Sequence, residues 1–302
     1  VVAVDTHPDY ATTRWARRLH PERVVAVQHH HAHVASVMAE HGFDPDTPVI
    51  GGAFDGTGHG TDGAIWGGEV LVADAHGFDR RFHLGNIALP GGDAAIVRPA
   101  RVALAHLYAA RVPWTDDLAP VRTTDPAERD VLGQQLEGGV GCVPTSSMGR
   151  LFDAVASLLD LRHTITYEAQ AAIELEALAT VAPVGEAYRF GCDGEVVDAG
   201  SVVRQVVADL RAGTDPGAIA RRFHDGVADL VVTLAEQVRA DTGLTTVALS
   251  GGVFQNVLLT ARCLQRLRAA GFDPRTNRLV PANDGGLSLG QAFVAAHGGG
   301  DR

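Results

Sequence analysis

Short runs of valine, isoleucine and alanine alternate with helically spaced segments from the first residue onward, and glycines collect where those short runs end. This alternation constrains the chain most, because period-2 and period-3.6 segments in turn stack as layers of sheet and helix. The pattern predicts a strand from Val1 to Asp5, a helix from Ala11 to Leu19, a strand from Val24 to Val27 and a helix from about His30. A strand from Pro48 to Asp55 should run into a glycine-rich turn, followed by a hairpin-like stretch from Gly63 to Ala73. From Gly92 to about Val181 the spacing becomes helical, with helices expected at Ala100 to Ala110, Gly149 to Leu161 and Tyr167 to Thr180. A hairpin around Asp193-Gly194 follows, since that dipeptide suits a two-residue turn. Beyond it the pattern predicts two helices, a strand from Thr245 to Leu249, a helix from Val253 to Ala270, a strand from Arg278 to Pro281 and a last helix from Gly286.

With 302 residues, 46% of them hydrophobic, the chain can bury one large core or two modest ones. No apolar run reaches the roughly 20 residues of a membrane-spanning helix, and no charged start leads into an apolar stretch of signal-peptide type. The expectation is no membrane and a cytoplasmic address. Cys142, Cys192 and Cys263 are too scattered for a disulfide framework or a zinc knuckle, which suits a reducing compartment. A net charge of -11 argues against nucleic acid, whose affinity comes mainly from Lys and Arg displacing counterions. The opening Val-Val-Ala-Val-Asp reads as a buried strand without a lead-in, as in a fragment of something longer.

The run Gln28-His29-His30-His31-Ala32-His33 places four imidazoles where a strand gives way to a helix. On a helix His29 and His33 lie one turn apart, so both rings can reach one metal ion. His30 and His33 are also neighbours, at i and i+3, which leaves the first ligand open between His29 and His30. Two imidazoles call for an anionic oxygen, and Asp284, in Asn283-Asp284-Gly285-Gly286, is the donor to look for. The commoner task of an aspartate there is to cap a helix. Asp55 opens a loop with four glycines, Asp-Gly-Thr-Gly-His-Gly-Thr-Asp-Gly, in which backbone amides could close on phosphate oxygens while the carboxylate holds a metal. His59 inside this loop is read as structural. A second glycine pair, Gly251-Gly252, lies where a strand meets a helix, a position suited to a nucleotide phosphate or simply to a tight turn. No cysteine sits in a glycine loop and no Gly-x-Ser-x-Gly elbow occurs, so the nucleophile is expected on the acceptor.

In this order, Asp5-Thr6-His7-Pro8-Asp9-Tyr10, the histidine run, Asp55-Gly56-Thr57-Gly58, Trp66-Gly67-Gly68-Glu69 and Leu89-Pro90-Gly91-Gly92-Asp93 resemble the TsaD-like domain of HypF-type carbamoyltransferases. The likeness continues through Ser146 to Asp153, Tyr167 to Ala172, Ser250 to Asn256 and Asn283 to Gly290, and so covers essentially the whole chain. The resemblance implies an α/β fold of the actin-like ATPase class (ribonuclease H-like), with two related subdomains at 1–92 and 184–302 around a helical insertion at 93–183. It implies a divalent metal on His29, His33, Asp55 and Asp284, being iron or zinc, or magnesium with the nucleotide. Nucleotide contacts carry over to Gly56, Thr57, Asp153, Glu168, Gly251, Gly252 and Asn256.

The implied activity is carbamoyl transfer from carbamoyl adenylate, with its ATP-derived AMP moiety, to the C-terminal cysteine thiol of HypE, on the route to the cyanide ligands of [NiFe]-hydrogenase. In HypF an acylphosphatase-like domain cleaves carbamoyl phosphate and a YrdC-like domain makes the adenylate. Both are absent from this sequence, as are the zinc fingers and the first segment of the TsaD-like domain, so the chain is expected to depend on them for its substrate. The amides of Gly251 and Gly252 are expected to steady the AMP phosphate. The nearest alternative is an O-carbamoyltransferase acting on a small-molecule hydroxyl, disfavoured by the packed His-His-His-Ala-His run. Threonylcarbamoyl transfer to tRNA is disfavoured by the acidic charge. A binding module that keeps the pocket without turnover is the reading from a different class.

Overall fold

The computed structural model describes residues 1–300. The chain divides into two compact units, one made of Val1–His83 together with the stretch from Val231 onward, the other of Leu84–Leu230.

In the first unit, strand Val2–Asp5 runs parallel to strand Val24–Val27 with Asp5 opposite Val27, and helix Ala11–Leu19 lies between them in sequence. Two residues past Val27 the chain enters helix His29–Glu40. Gln28 fixes its start, because its Oε1 accepts the His31 amide at 2.8 Å and satisfies one of the donors that a helix start leaves unpaired. The helix is buried on nearly all sides, its histidines included. Val34, Val37 and Met38 pack against Val49, Ala53, Leu71 and Ala73 of the sheet, while Ala32 and Ala35 meet Val25, Val27, Leu287 and Val294.

That sheet is centred on strand Val49–His59, flanked in parallel by Thr246–Ser250 and in antiparallel by Ile65–Ala73. Asp273–Thr276 continues it on the first side and Phe78–Leu84 on the second. The last helix, Leu287–Ala296, crosses helix His29–Glu40 at Gly290, where a Cβ would stand 1.8 Å from the Ala32 carbonyl oxygen. Only a residue without a side chain lets the two backbones approach so closely.

The second unit is mainly helical. Helices Pro99–Ala109, Met148–Leu158, Gln170–Thr180 and Ala199–Arg211 surround a core that includes Val102, Leu104, Leu151, Phe152 and Phe223. Phe152 and Phe223 meet edge to face at 4.8 Å. Two antiparallel strand pairs accompany them, Ile87–Pro90 with Cys142–Thr145 across intervening helices, and the hairpin Gly191–Asp193 with Val196–Asp198. Helix Pro216–Thr242 carries the chain from this unit back into the first. Among the described residues no helix is long and apolar enough to cross a membrane.

Several expectations shift. The compact units meet in sequence at 83 and 230, and Thr246–Ser250 adds directly to Val49–His59 in one sheet. The strand expected from Arg278 to Pro281 is displaced to Asp273–Thr276. Its proline had disguised it, and proline is tolerated there because the strand lies at the end of the order. The amides of Arg278, Leu279 and Val280 go instead to the Glu40 carboxylate, at 2.6, 3.0 and 3.3 Å. The helix expected from Val253 divides into a 3-10 turn, Gly252–Gln255, and helix Val257–Ala269, capped by Asn256 Oδ1 on the Leu259 amide at 2.8 Å.

Buried histidines make the second unit acid-sensitive. Burial pushes both His106 and His224 down to about 4, while burial raises Asp153 to about 6 against the lowering charge of Arg150. Below the ordinary imidazole range the unfolded chain takes up protons that the folded one refuses, so each histidine loses stability as pH falls from about 6.5 to 4. Asp153 acts in the opposite sense between its raised value and that of a free carboxyl, and two imidazoles outweigh one carboxyl. At pH 5 each histidine should cost about 2 kcal/mol. Urea melts across this range should show His106→Leu with a visibly shallower acid loss than the parent.

Candidate metal centre

Helix His29–Glu40 presents His29 and His33 one turn apart, with ring centroids 4.9 Å from each other. Both Nε2 atoms face Asp55 Oδ2, at 3.1 Å from His29 and 3.3 Å from His33. Asp55 stands where the ladder between Val49–His59 and Ile65–Ala73 slips register, between Phe54 and Gly58, so its side chain is free of the regular pleat. Asp284 Oδ1 lies 3.5 Å from each Nε2. Asn283 caps the short turn Asp284–Gly286 by accepting the Gly285 amide, and this releases Asp284 from the capping role its position suggests. The donor atoms of His29, His33, Asp55 and Asp284 all lie within 4.8 Å of one another.

Two imidazoles and two carboxylates at such spacing suit a divalent ion with nitrogen and oxygen ligands. Burial disfavours a charged His29, yet the carboxylates of Asp284, Asp5 and Asp55 outweigh it and hold the ring well above the ordinary imidazole range. His33 is raised for the same reason, by Asp284 and Asp55 against burial. The imidazoles in turn overcome the burial of Asp55 and of Asp284 and hold both carboxyls low.

The choice between His29 and His30 is geometric. His30 turns its Nδ1 toward Gln28 Nε2 at 3.2 Å and its ring toward Trp66, so it lies outside the donor group. Asp5, which the residue pattern did not single out as a site residue, lies against the back of His29, with Oδ2 2.8 Å from Nδ1. Ser250 Oγ stands 3.5 Å from His33 Nδ1. The sequence signals for Asp5 are its place at the head of the Asp5 to Tyr10 motif and at the end of the strand beside the one leading into the histidine run.

The two glycine loops meet at Asp55. Its Oδ1 accepts the Gly56 amide at 2.8 Å and the Gly252 amide at 3.1 Å. Thr57 follows on the same loop and is partly exposed. Gly251 has φ +104, and a Cβ there would lie 2.2 Å from Phe54 O. Its amide donates to Ala282 O at 2.9 Å. The amides of Gly251 and Gly252, expected to hold a phosphate, are therefore already engaged in joining strand ends. What these glycines offer a ligand is a close backbone surface. Asp153 and Glu168 belong to the second unit. Asp153 is buried with Arg150 Nη2 at 3.0 Å, and Glu168 is exposed in the turn before helix Gln170–Thr180.

Fold and site together define an α/β protein with a two-histidine, two-aspartate cluster, buried except at Asp284 and tied to two glycine loops. Known proteins narrow this class. The family described as "Carbamoyltransferase, Kae1-like Domain, second subdomain" matches residues 51–291, and the "HypF Kae1-like domain" family matches residues 1–40. The chain is 40% identical to carbamoyltransferase HypF2 of Cupriavidus necator over 98% of its own length and 39% of that protein. It is 41% identical to a carbamoyltransferase HypF homolog of the same organism, over 98% of this chain and 77% of the other. A crystal structure of full-length HypF in the phosphate- and nucleotide-bound form matches with TM-score 0.90 and 40% identity, covering 97% of this chain and 46% of that one. HypF of T. kodakarensis matches with TM-score 0.86 and 32% identity, over 97% and 40%. The chain belongs to the Kae1-like domain family of HypF carbamoyltransferases, and the expected α/β fold is the one it shares with these structures. It spans about two fifths of HypF2 and of the Synechocystis HypF.

Proposed function

We propose that this chain transfers a carbamoyl group in hydrogenase maturation, from carbamoyl adenylate to the C-terminal cysteine thiol of HypE, in the cytoplasm. The observation that carries the reading is the double engagement of Asp55: one oxygen faces His29 and His33, and the other accepts amides from both glycine loops. A metal donor group and a surface for a nucleotide are thereby fixed by one carboxylate. Family membership supports the nature of the group transferred, and the matched full-length HypF, described as phosphate- and nucleotide-bound, supports a nucleotide.

His29, His33, Asp55 and Asp284 would hold a divalent metal, iron or zinc, which when bound supplies Lewis-acid polarisation of a carbonyl. The chain's own residues bring the reactants together. Gly56, Thr57, Gly251 and Gly252 give the adenylate a surface without bulky side chains, with Asn256 as a further nucleotide contact. The acceptor sulfur then bonds to the carbamoyl carbon, the bond from that carbon to the phosphate oxygen breaks, AMP leaves, and the thiol proton passes to solvent. Acylphosphatase-like and YrdC-like domains would make the adenylate from carbamoyl phosphate and ATP.

Incubating the chain with carbamoyl adenylate and a peptide ending in cysteine should give a carbamoylated peptide by mass spectrometry. A peptide ending in serine, or a small alcohol, should stay unmodified. His29→Ala and Asp284→Ala should each lose most of the transfer, and transfer equal to the parent in both would remove the metal from the reading.

A further inference from the structure

We propose that Asp5 is the positioning residue of this site and selects which nitrogen of His29 faces the other donors. The inference rests on the metal reading above and concerns a residue outside the donor group. Asp5 ends strand Val2–Asp5, opposite Val27, and the chain enters the histidine helix two residues later. This register brings the carboxylate to the imidazole across 24 residues of sequence. Asp5 is 4% exposed, and both of its carboxylate oxygens are committed. Oδ2 lies 2.8 Å from His29 Nδ1, and Oδ1 accepts the His7 amide at 2.8 Å. Its backbone oxygen accepts Thr13 Oγ1 at 3.2 Å, which anchors the residue to helix Ala11–Leu19.

A carboxylate can only accept, so the contact places a proton on Nδ1. In a neutral ring the lone pair is then on Nε2, the nitrogen aimed at Asp55 and Asp284. His33 has only weaker support from a neutral hydroxyl, whose oxygen can accept from the ring. Its Nδ1 is 3.5 Å from Ser250 Oγ, and that hydroxyl donates to Asn277 Oδ1 at 2.8 Å. The ring that begins the helix is therefore fixed from behind by a buried anion at 2.8 Å, whereas the ring one turn later meets a neutral hydroxyl at 3.5 Å.

The amide isostere separates this role from a structural one. In Asp5→Asn, Oδ1 can still accept the His7 amide, but the group turned to His29 becomes an N–H donor. That donor forces the ring proton onto Nε2, where it blocks the metal. In Asp5→Ala, a water can accept a hydrogen bond from Nδ1–H, so the useful tautomer survives. The unmodified chain, Asp5→Asn and Asp5→Ala should be titrated with zinc against a chromophoric chelator, alongside nitrogen-15 NMR of the zinc-loaded histidines. Asp5→Asn should bind zinc about 10- to 100-fold more weakly than the parent, with Asp5→Ala intermediate. The parent alone should show a slowly exchanging Nδ1 proton on His29. Equal zinc affinity in the parent and Asp5→Asn, or Asp5→Ala weaker than Asp5→Asn, overturns the inference and leaves Asp5 a folding element. A parent chain that binds no zinc overturns the metal reading itself, and the inference with it.

Discussion

Asp55→Ala is expected to bind zinc at least about 100-fold more weakly than the parent and to lose nucleotide affinity as well. Loss of a residue merely supporting a metal ligand already costs about 10- to 100-fold, and Asp55 would be a ligand itself. Without it, the two imidazoles face Asp284 alone, whose side chain is 60% exposed and which contacts each ring at 3.5 Å. The amides of Gly56 and Gly252 lose their shared acceptor, so both glycine loops lose the group that fixes them to each other. Asp55→Asn divides the two effects. Its oxygen can keep both amides, while its NH2 group meets the imidazoles and cannot ligate a cation. Calorimetric titration should therefore show zinc affinity lost in both variants and AMP affinity lost only in Asp55→Ala. An asparagine variant that binds zinc like the parent would falsify the placing of Asp55 among the ligands.

The second large effect is on stability. A ligand that binds only the folded chain stabilises it by about 4 kcal/mol at a thousandfold excess over its Kd. Zinc at that excess should raise the urea midpoint of the parent, a chelator should reverse the rise, and His33→Ala should show little of it. The gain should also depend on pH. The carboxylates hold His29 and His33 above the ordinary imidazole range, so at mildly acidic pH each ring keeps a proton that a metal must displace. Zinc stabilisation should therefore be small in acid and grow as pH rises through the raised range. A midpoint indifferent to zinc at every pH would remove the metal centre from this protein.

Much of the site could be read locally. Four histidines at the start of a helix narrowed the ligands by helical spacing to His33 with His29 or His30, and aspartates in the two glycine-rich segments supplied the other candidates. Phase and packing were harder to see. His29 and His30 differ by one step of helix rotation, and only the packing of that helix turns His29 to Asp55 and His30 to Gln28 and Trp66. The segment from Arg278 to Val280 has strand-like composition, but its amides belong to Glu40, and Leu279 is 88% exposed. A carboxylate in the last turn of a helix opposes the helix dipole, and its three amide partners offset that cost. Glu40 thereby ties the histidine helix to the segment leading to Asp284, a contact across more than 230 residues that no periodicity reports.

Periodicity and composition determined the alternation of strand and helix, the helical middle of the chain, and the residue types able to bind a metal, because these depend on neighbours within a turn or two. The tertiary structure decided the rest. It set Thr246–Ser250 beside Val49–His59, placed Asp5 behind His29, and engaged the Gly251 and Gly252 amides within the protein rather than leaving them for a phosphate. Each of these is a pairing of distant segments, selected by which buried polar groups must find partners once the core has closed.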